Sequence, residues 1–295
     1  MLKIGIVGSE STHSQTFARL ANLPGPDGTL PFDARVTMIW GCDPDRTKQV
    51  AEENKIPAIV NNPLDMIGKV DAVMIDPRKG SQHYKYTMPF LKAGVPAWVD
   101  KPFTVDYGEA LELVRAAKAH GVLLCGGSTC KYSYDVAMLK ARFELLHNAK
   151  DLVSAAFNFS GDIHSEYDGI YFYGSHSAEK LATMFGTDVR SLKTDVHCGN
   201  LVALAKYSDF TVTMNFSKGQ QSYGTLYSPS GVVMRPIDIT FSAYTTFEKF
   251  VAMLENKCPP EDPKILLSSV RILNALQESI DADGAEIPVK PIGEI

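Results

Sequence analysis

The chain has 295 residues, with 29 Lys+Arg against 34 Asp+Glu, a net charge of -5, and 45% hydrophobic residues. It is long enough for two domains that each bury a core. The acidic balance excludes nucleic acid as the expected partner, because phosphate binding requires a basic footprint, and no uninterrupted apolar run reaches the length of a membrane span. The opening Met1-Leu2-Lys3-Ile4-Gly5 runs into a strand pattern without a signal-peptide layout, so a cytoplasmic location is expected. Cys42, Cys125, Cys130, Cys198 and Cys258 are scattered and form no CxxC pair. They read as reduced thiols, with no metal site.

Ile4 to Val7 is an apolar run ending in Gly8, followed by Phe17, Leu20 and Leu23 at helical spacing. Val36 to Cys42 reads as a second strand closing on Asp43, with a helix from Asp45 to Asn54. Residues 22–35, rich in proline and glycine, read as a surface insertion before that strand. Ala72 to Ile75 is a short buried strand before Asp76-Pro77, and His83 to Ala93 a helix. Val95 to Val99 is the strand that delivers Asp100-Lys101-Pro102. Tyr107 to His120 is an amphipathic helix stopped by Gly121, and Val122 to Cys125 the next strand. Strands alternating with helices imply a parallel sheet covered on both faces. Lys101 stands at the carboxyl edge of such a strand, where open α/β sheets place their ligands, and Pro102 keeps it out of the helical region.

A first strand ending in glycine at a helix start, with an acid closing the second strand, is the frame of a dinucleotide site. Gly8 then lies at the pyrophosphate and Asp43 at the adenosine ribose, with Arg46 the candidate partner for a 2′-phosphate. The expected cofactor is NAD or NADP, NAD being favoured because no arginine adjoins Asp43. The glycine fingerprint is incomplete: its second and third positions fall on Glu10 and His13. A carboxylate about 5 Å from one phosphate charge is repelled by on the order of 3 kcal/mol at an effective dielectric near 20. Glu10 must therefore point away, or the cofactor must sit differently. Ser9, Ser11, Thr12, His13 and Ser14 are either replacement donors to a phosphate or simply caps of the helix.

Four segments resemble the family of glucose-fructose oxidoreductase, inositol dehydrogenase and MocA proteins. They are Lys3 to Gly8; Asp71 to Pro77 with His83; Asp100-Lys101-Pro102-Phe103; and Gly126-Gly127-Ser128-Thr129-Cys130-Lys131-Tyr132. The third is the most specific, with Asp100 where the family has glutamate. The resemblance implies a Rossmann-like dinucleotide-binding domain over 1–127, followed by an α+β substrate and oligomerisation domain over 128–295 with a large open, mostly antiparallel sheet. It also implies that Asp76, Pro77, His83 and Asp100 border the cofactor, that Lys131 borders the substrate, and that Arg78 matches no family feature. In Ile170 to Glu179 it aligns His176 with the catalytic histidine and Glu179 with an acid one turn beyond. The family's aspartate four residues before the histidine falls on Phe172, leaving Asp168 and Tyr173 as candidate substitutes for the lost polar contact.

Leu152 to Phe159, and stretches within 189–198, 201–207, 210–216, 223–227 and 232–241, alternate as strands, and 247–255 and 263–279 read as closing helices. The expected reaction is hydride transfer between the nicotinamide cofactor and a sugar, polyol or related hydroxy compound. His176 takes the hydroxyl proton and Lys101 stabilises the alkoxide, or the two exchange roles. Two alternatives stay open: an NAD-dependent glycoside-cleaving enzyme that returns the hydride, and a noncatalytic sugar-binding or regulatory protein with a degraded cofactor site. The second sheet is the expected surface of a homo-oligomer.

Overall fold

Strands β1 (Leu2–Val7), β2 (Ala34–Trp40), β3 (Ala58–Ile59), β4 (Ala72–Ile75), β5 (Ala97–Val99) and β6 (Leu124–Gly126) form one sheet in the order β3-β2-β1-β4-β5-β6. Every pairing in it is parallel. This is a computed structural model, and it describes residues 1–217, 219 and 221–295. Every residue of β4 and β5 is buried, as parallel strands with helices on both faces require. The strand order reverses between β1 and β4, and a crevice opens at their carboxyl ends. Gly8 is dictated by that junction. Its φ is +105° and a Cβ there would lie 2.5 Å from Pro77 N.

The helices of this half begin where side chains satisfy their first amides. Ser11 accepts from His13 N (3.1 Å) at α1 (Thr12–Asn22), and Asp43 from Arg46 N (3.0 Å) at α2 (Pro44–Glu53). Asp106 accepts from Glu109 N (2.9 Å) at α4 (Tyr107–His120), while α3 (His83–Lys92) starts without a side-chain cap. Each such cap contributes about 1 kcal/mol. Gly121, in the left-handed region, ends α4. The chain between α1 and β2 is the surface insertion expected there, and the two-residue β3 was not foreseen.

The second sheet comprises β7 (Ser154–Ser160), β8 (Ser191–His197), β9 (Asn200–Lys206), β10 (Thr211–Ser217), β11 (Tyr223–Ser228), β12 (Gly231–Pro236) and β13 (Ile287–Pro288). Its order is β12-β11-β7-β10-β9-β8-β13. It is mixed rather than purely antiparallel, since β7 and β10 run parallel. Alternating burial marks one covered face and one open face. The covered face packs on α5 (Tyr134–Asn148) and α6 (Ile170–Phe185). The two closing helices, α7 (Ser242–Asn256) and α8 (Lys264–Asp281), reach back to the first sheet. Phe247 and Phe250 of α7 share a core with Ile4, Phe17 and Trp98. Leu266, Leu267 and Val270 of α8 pack with Val99 and Phe103, whereas Ile272, Leu273 and Leu276 belong to the second core. Each fully buried side chain of this kind is worth about 1.5–3 kcal/mol, so α8 joins the two halves. Among the described residues no helix is long and apolar enough to cross a membrane.

Candidate active site

A cleft of about 460 Å³ opens at the carboxyl edge of the first sheet, between it and the second half. Its walls come from five parts of the chain: Ser11, Thr12 and His13 at the start of α1; Arg78 after β4; Lys101 after β5; Thr129 and Cys130 after β6; and Phe159, Tyr167, Phe172, Tyr173 and His176 on and before α6. Ser242 and Ala243, at the start of α7, close it. A larger hollow of about 930 Å³ beside the C-terminal tail shares none of these residues.

Lys101 is only 6% exposed, precedes a cis Lys101-Pro102 bond, and points its Nζ at the second half. Nζ donates to Phe172 O (3.3 Å) and lies 3.5 Å from the Phe172 ring centroid and 5.6 Å from that of Tyr173. Burial pushes the ammonium down to about 8, against the opposing pull of Asp100. A carboxylate in the place of Phe172 would hold the proton on; a π-face attracts the cation more weakly when both are shielded from water.

His176 is buried, with its Nδ1 2.6 Å from Ser128 Oγ. Ser128 Oγ also accepts from Cys130 N (3.1 Å). In the tautomer with the proton on Nδ1, the ring donates to Ser128 and the Nε2 lone pair is free to take a proton. Burial, reinforced by Lys101, His13 and Lys180, pushes His176 well below 6.5. The imidazole is therefore neutral at neutral pH, the form a general base needs. Ser128, its positioning partner, was visible beforehand only as a letter in a glycine-rich segment. Thr129 and Cys130 were visible only in that same segment, and Phe159 and Ser242 had no signal of their own, since each reaches the cleft only through the packing of distant elements.

Behind Lys101 lies a chain of buried acids. The Asp100 carboxylate, 2% exposed, contacts His13 Nδ1 at 2.8 and 2.9 Å. Burial opposes its ionisation, but His13 and Lys101 outweigh it and hold Asp100 below the usual carboxylate range. Asp76 is fully buried with no hydrogen-bond partner at either oxygen, and burial together with Asp100 pushes its carboxyl well above that range. It is held as the neutral acid. Both ring nitrogens of His83 meet backbone oxygens, Pro102 O at 2.7 Å and Pro77 O at 2.8 Å, so His83 ties together the loops that follow β4 and β5.

Several expected site residues do not reach the cleft. Lys131 Nζ donates to Gly126 O (2.7 Å) and Glu261 Oε1 (2.5 Å) and lies 3.0 Å from Glu179 Oε2, an ion pair without hydrogen-bond alignment. Glu179 Oε1 accepts from Ser128 N (2.8 Å), and a Cβ on Gly127 would fall 2.2 Å from that oxygen. Lys131 and Glu179 thus form a buried support under the Ser128 turn, and neither lines the cleft. Asp168 accepts from Ser81 N (3.0 Å) and Ser81 Oγ (3.1 Å), which turns it toward the loop after β4. Tyr173, the other candidate, does line the cleft.

The cofactor residues divide in the same way. The Ser9 hydroxyl faces inward to Thr47 Oγ1 (2.8 Å) and offers nothing to a phosphate. Arg46 turns to Gln15 (2.8 Å) and Gln49 (2.9 Å), away from the place of a 2′-phosphate. Asp43 caps α2 yet stays exposed at the end of β2, with one oxygen in the cap. Gly8, Thr12 and His13 remain at the crevice. Glu10 resolves the difficulty raised by the glycine loop: its Oε1 accepts from Cys42 N (2.5 Å), drawing the carboxylate aside to the β2 edge. The α1 start is left open to an anionic group, and the residues present fit a dinucleotide.

A parallel sheet with this order and a helix start at the switch point make the frame of a dinucleotide-binding fold, with a lysine and a histidine facing one cleft. Residues 2–128 match the model of an oxidoreductase family with an NAD-binding Rossmann fold, that of glucose-fructose oxidoreductase, inositol dehydrogenase and MocA. Over this first half the chain is similar to that family. An inositol 2-dehydrogenase of Rhodococcus erythropolis is 29% identical over 143 residues, a match spanning 48% of this chain and 38% of that relative's length. Among solved structures, myo-inositol dehydrogenase of Lactobacillus casei, in complex with NAD(H) and myo-inositol, superposes with a TM-score of 0.84 at 13% identity, covering 100% of this chain and 98% of that one. The WlbA dehydrogenase of Bordetella pertussis, in complex with NADH and UDP-GlcNAcA, gives 0.79 at 16%, covering 99% of each. At these identities the superpositions establish the fold of both halves.

Proposed function

We propose that the chain is an NAD-dependent dehydrogenase or reductase acting on a sugar, polyol or related hydroxy compound. One observation carries this reading: Lys101 and His176, from opposite halves, meet the same cleft at the switch point, and Tyr173 neighbours both. The division near residue 127 would separate cofactor binding from substrate binding. The polyol and sugar ligands of the relatives support the substrate class, and the family's NAD-binding fold supports the cofactor. Glu10 and Asp43, both beside the end of β2, favour NAD over NADP, because a 2′-phosphate there would meet two carboxylates. The open face of the second sheet, with Val202, Tyr223 and Tyr227 exposed, suits a homo-oligomer, and the free thiols suit a cytoplasmic, reducing setting.

Gly8, Thr12 and His13 would face the pyrophosphate, Asp43 the adenosine ribose, and Pro77 and His83 the nicotinamide side. NAD, when bound, supplies the hydride acceptor. The chain's own residues do the rest. Lys101 holds the reacting oxygen and stabilises its negative charge as the proton leaves. His176 Nε2 receives that proton, with Nδ1 fixed by Ser128. The aromatic walls exclude water and so strengthen the attraction between the Lys101 ammonium and the forming alkoxide.

The pH profile of substrate oxidation tests these roles. Lys101 carries its charge below about 8 and loses it above. kcat/KM is therefore expected to fall as pH rises through about 8, while the acid limb lies below the 6.5 of an ordinary imidazole. Lys101→Arg should carry the alkaline limb beyond pH 10, since guanidinium does not titrate there. A rate that instead climbs through pH 8 would give the base role to the Lys101 amine.

A further inference from the structure

We infer that the substrate carries a carboxylate, bound by Arg78, alongside the hydroxyl that reacts at Lys101. This deepens the reading above and rests on it for the chemistry, though not for the binding. The first observation is the charge of the cleft. Arg78 and Lys101 both line it, and among the described residues no Asp or Glu does.

Each nearby carboxyl group is already engaged or turned away. Asp100 is taken by His13, Glu179 and Glu261 by Lys131, and Asp168 by Ser81, while Asp76 is sealed in the sheet. Among the described residues no carboxylate lies within 4.0 Å of Arg78 or Lys101. The second observation is how the two cations are held. Arg78 donates to Tyr167 OH (3.0 Å) with its guanidinium 4.8 Å from the Tyr167 ring centroid. Lys101 sits 3.5 Å from the centroid of Phe172, and the two rings are 4.9 Å apart.

The cations therefore stand on adjacent rings of one aromatic pair. Stacking leaves the edge of a guanidinium available for a planar, bidentate partner, the geometry in which it recognises carboxylates. The third observation is Phe172 itself. With an aspartate there, Lys101 would have an internal counterion and an anionic substrate would be repelled. With phenylalanine, two part-desolvated cations lack a counterion, and a substrate carboxylate provides one. Hydroxyls from Thr12, Thr129 and Ser242 around the same cleft suit the remaining hydroxyls of a sugar acid. The class assigned is thus a hydroxylated carboxylate, an aldonate or uronate, rather than a neutral polyol.

Matched pairs test this by binding, independently of turnover. Calorimetry is done with the purified protein, with and without NADH, titrating D-gluconate against sorbitol and D-galacturonate against D-galactose. At least one acid is expected to bind about tenfold or more tighter than its neutral partner, a preference that weakens as salt is raised. Arg78→Met should remove that preference and leave NADH affinity within about twofold. Arg78→Lys, which keeps charge without the fork, should restore only part of it, with thermal melts of both variants reporting folding. Equal binding of acid and neutral partner would overturn the assignment, as would binding of neither at 10 mM, or an Arg78→Met variant that weakens NADH as much as the acid. Acid-selective binding without any NADH binding would uphold the carboxylate site and defeat the dehydrogenase reading.

Discussion

Lys101→Met is expected to lower kcat/KM about 10³-fold while leaving the protein as stable as before, or more so. The activity loss follows from the role of the ammonium: removing one preorganised donor at a developing oxyanion costs about 10²–10³ in rate, and this donor is charged and shielded from water. The stability outcome has the opposite sign. Burial brings Lys101 down to about 8 from 10.5, so at neutral pH folding carries the cost of desolvating a charge. At 1.36 kcal/mol per pKa unit, relieving part of that cost is worth about 1–3 kcal/mol. Methionine keeps the length and contacts of the stem against Phe172 without the charge. Assayed together, turnover and urea midpoint separate a functional lysine from a structural one, because a structural lysine would lose both. Near-wild-type turnover in Lys101→Met and in His176→Ala would remove the assignment of the site.

Lys131→Met is expected to cost stability as well as activity. Lys131 Nζ is completely buried between Glu179, 1% exposed, and Glu261, 14% exposed. Two carboxylates share it, and it is held charged, well above its ordinary value, because they outweigh the burial that acts against it. Removing it strands those carboxylates, and breaking a buried ion pair from one side costs about 3–5 kcal/mol. Equilibrium urea unfolding at neutral pH should show that loss. The sign of its pH dependence is fixed. Without Lys131 both carboxyls gain protons more readily in the folded than in the unfolded chain, so the folded state binds more protons and the deficit shrinks as pH falls toward 5. Activity should fall as well, since Glu179 holds the Ser128 amide and Ser128 holds His176. A deficit below 1 kcal/mol, or one that grows on acidification, would contradict this account of the triad.

These two lysines show what the sequence could and could not convey. The alternation of apolar runs with capped helices made the first half legible element by element, because burial on both faces leaves parallel strands almost wholly apolar. Helix α5 escaped notice: its buried stripe of Val136, Leu139, Phe143 and Leu146 is blurred by Met138 and Leu145 exposed on its other side. The parallel pairing of β7 with β10 depends on which strands meet after two intervening ones, which local pattern does not encode. In the site, Lys101 and His176 were legible because they lie in recognisable segments.

Lys131 and Glu179 also lie in recognisable segments, and nothing in their spacing tells that Lys131 turns into the protein to pair with Glu179 and with Glu261, 82 positions beyond Glu179. Glu10 was read as an obstacle because its escape, the amide of Cys42, lies at the end of another strand. Arg78 matched no family feature and read as a solvated loop arginine, and only its contact with Tyr167 sets it in the cleft.

The central claim is that this altered loop still binds NAD beside Lys101, and equilibrium titration of the purified protein with NADH, followed by cofactor fluorescence, tests it most directly. The account predicts saturable binding at micromolar NADH, and binding of NADPH weaker by at least about tenfold because of Glu10 and Asp43. No saturation by NADH at millimolar concentration would contradict it.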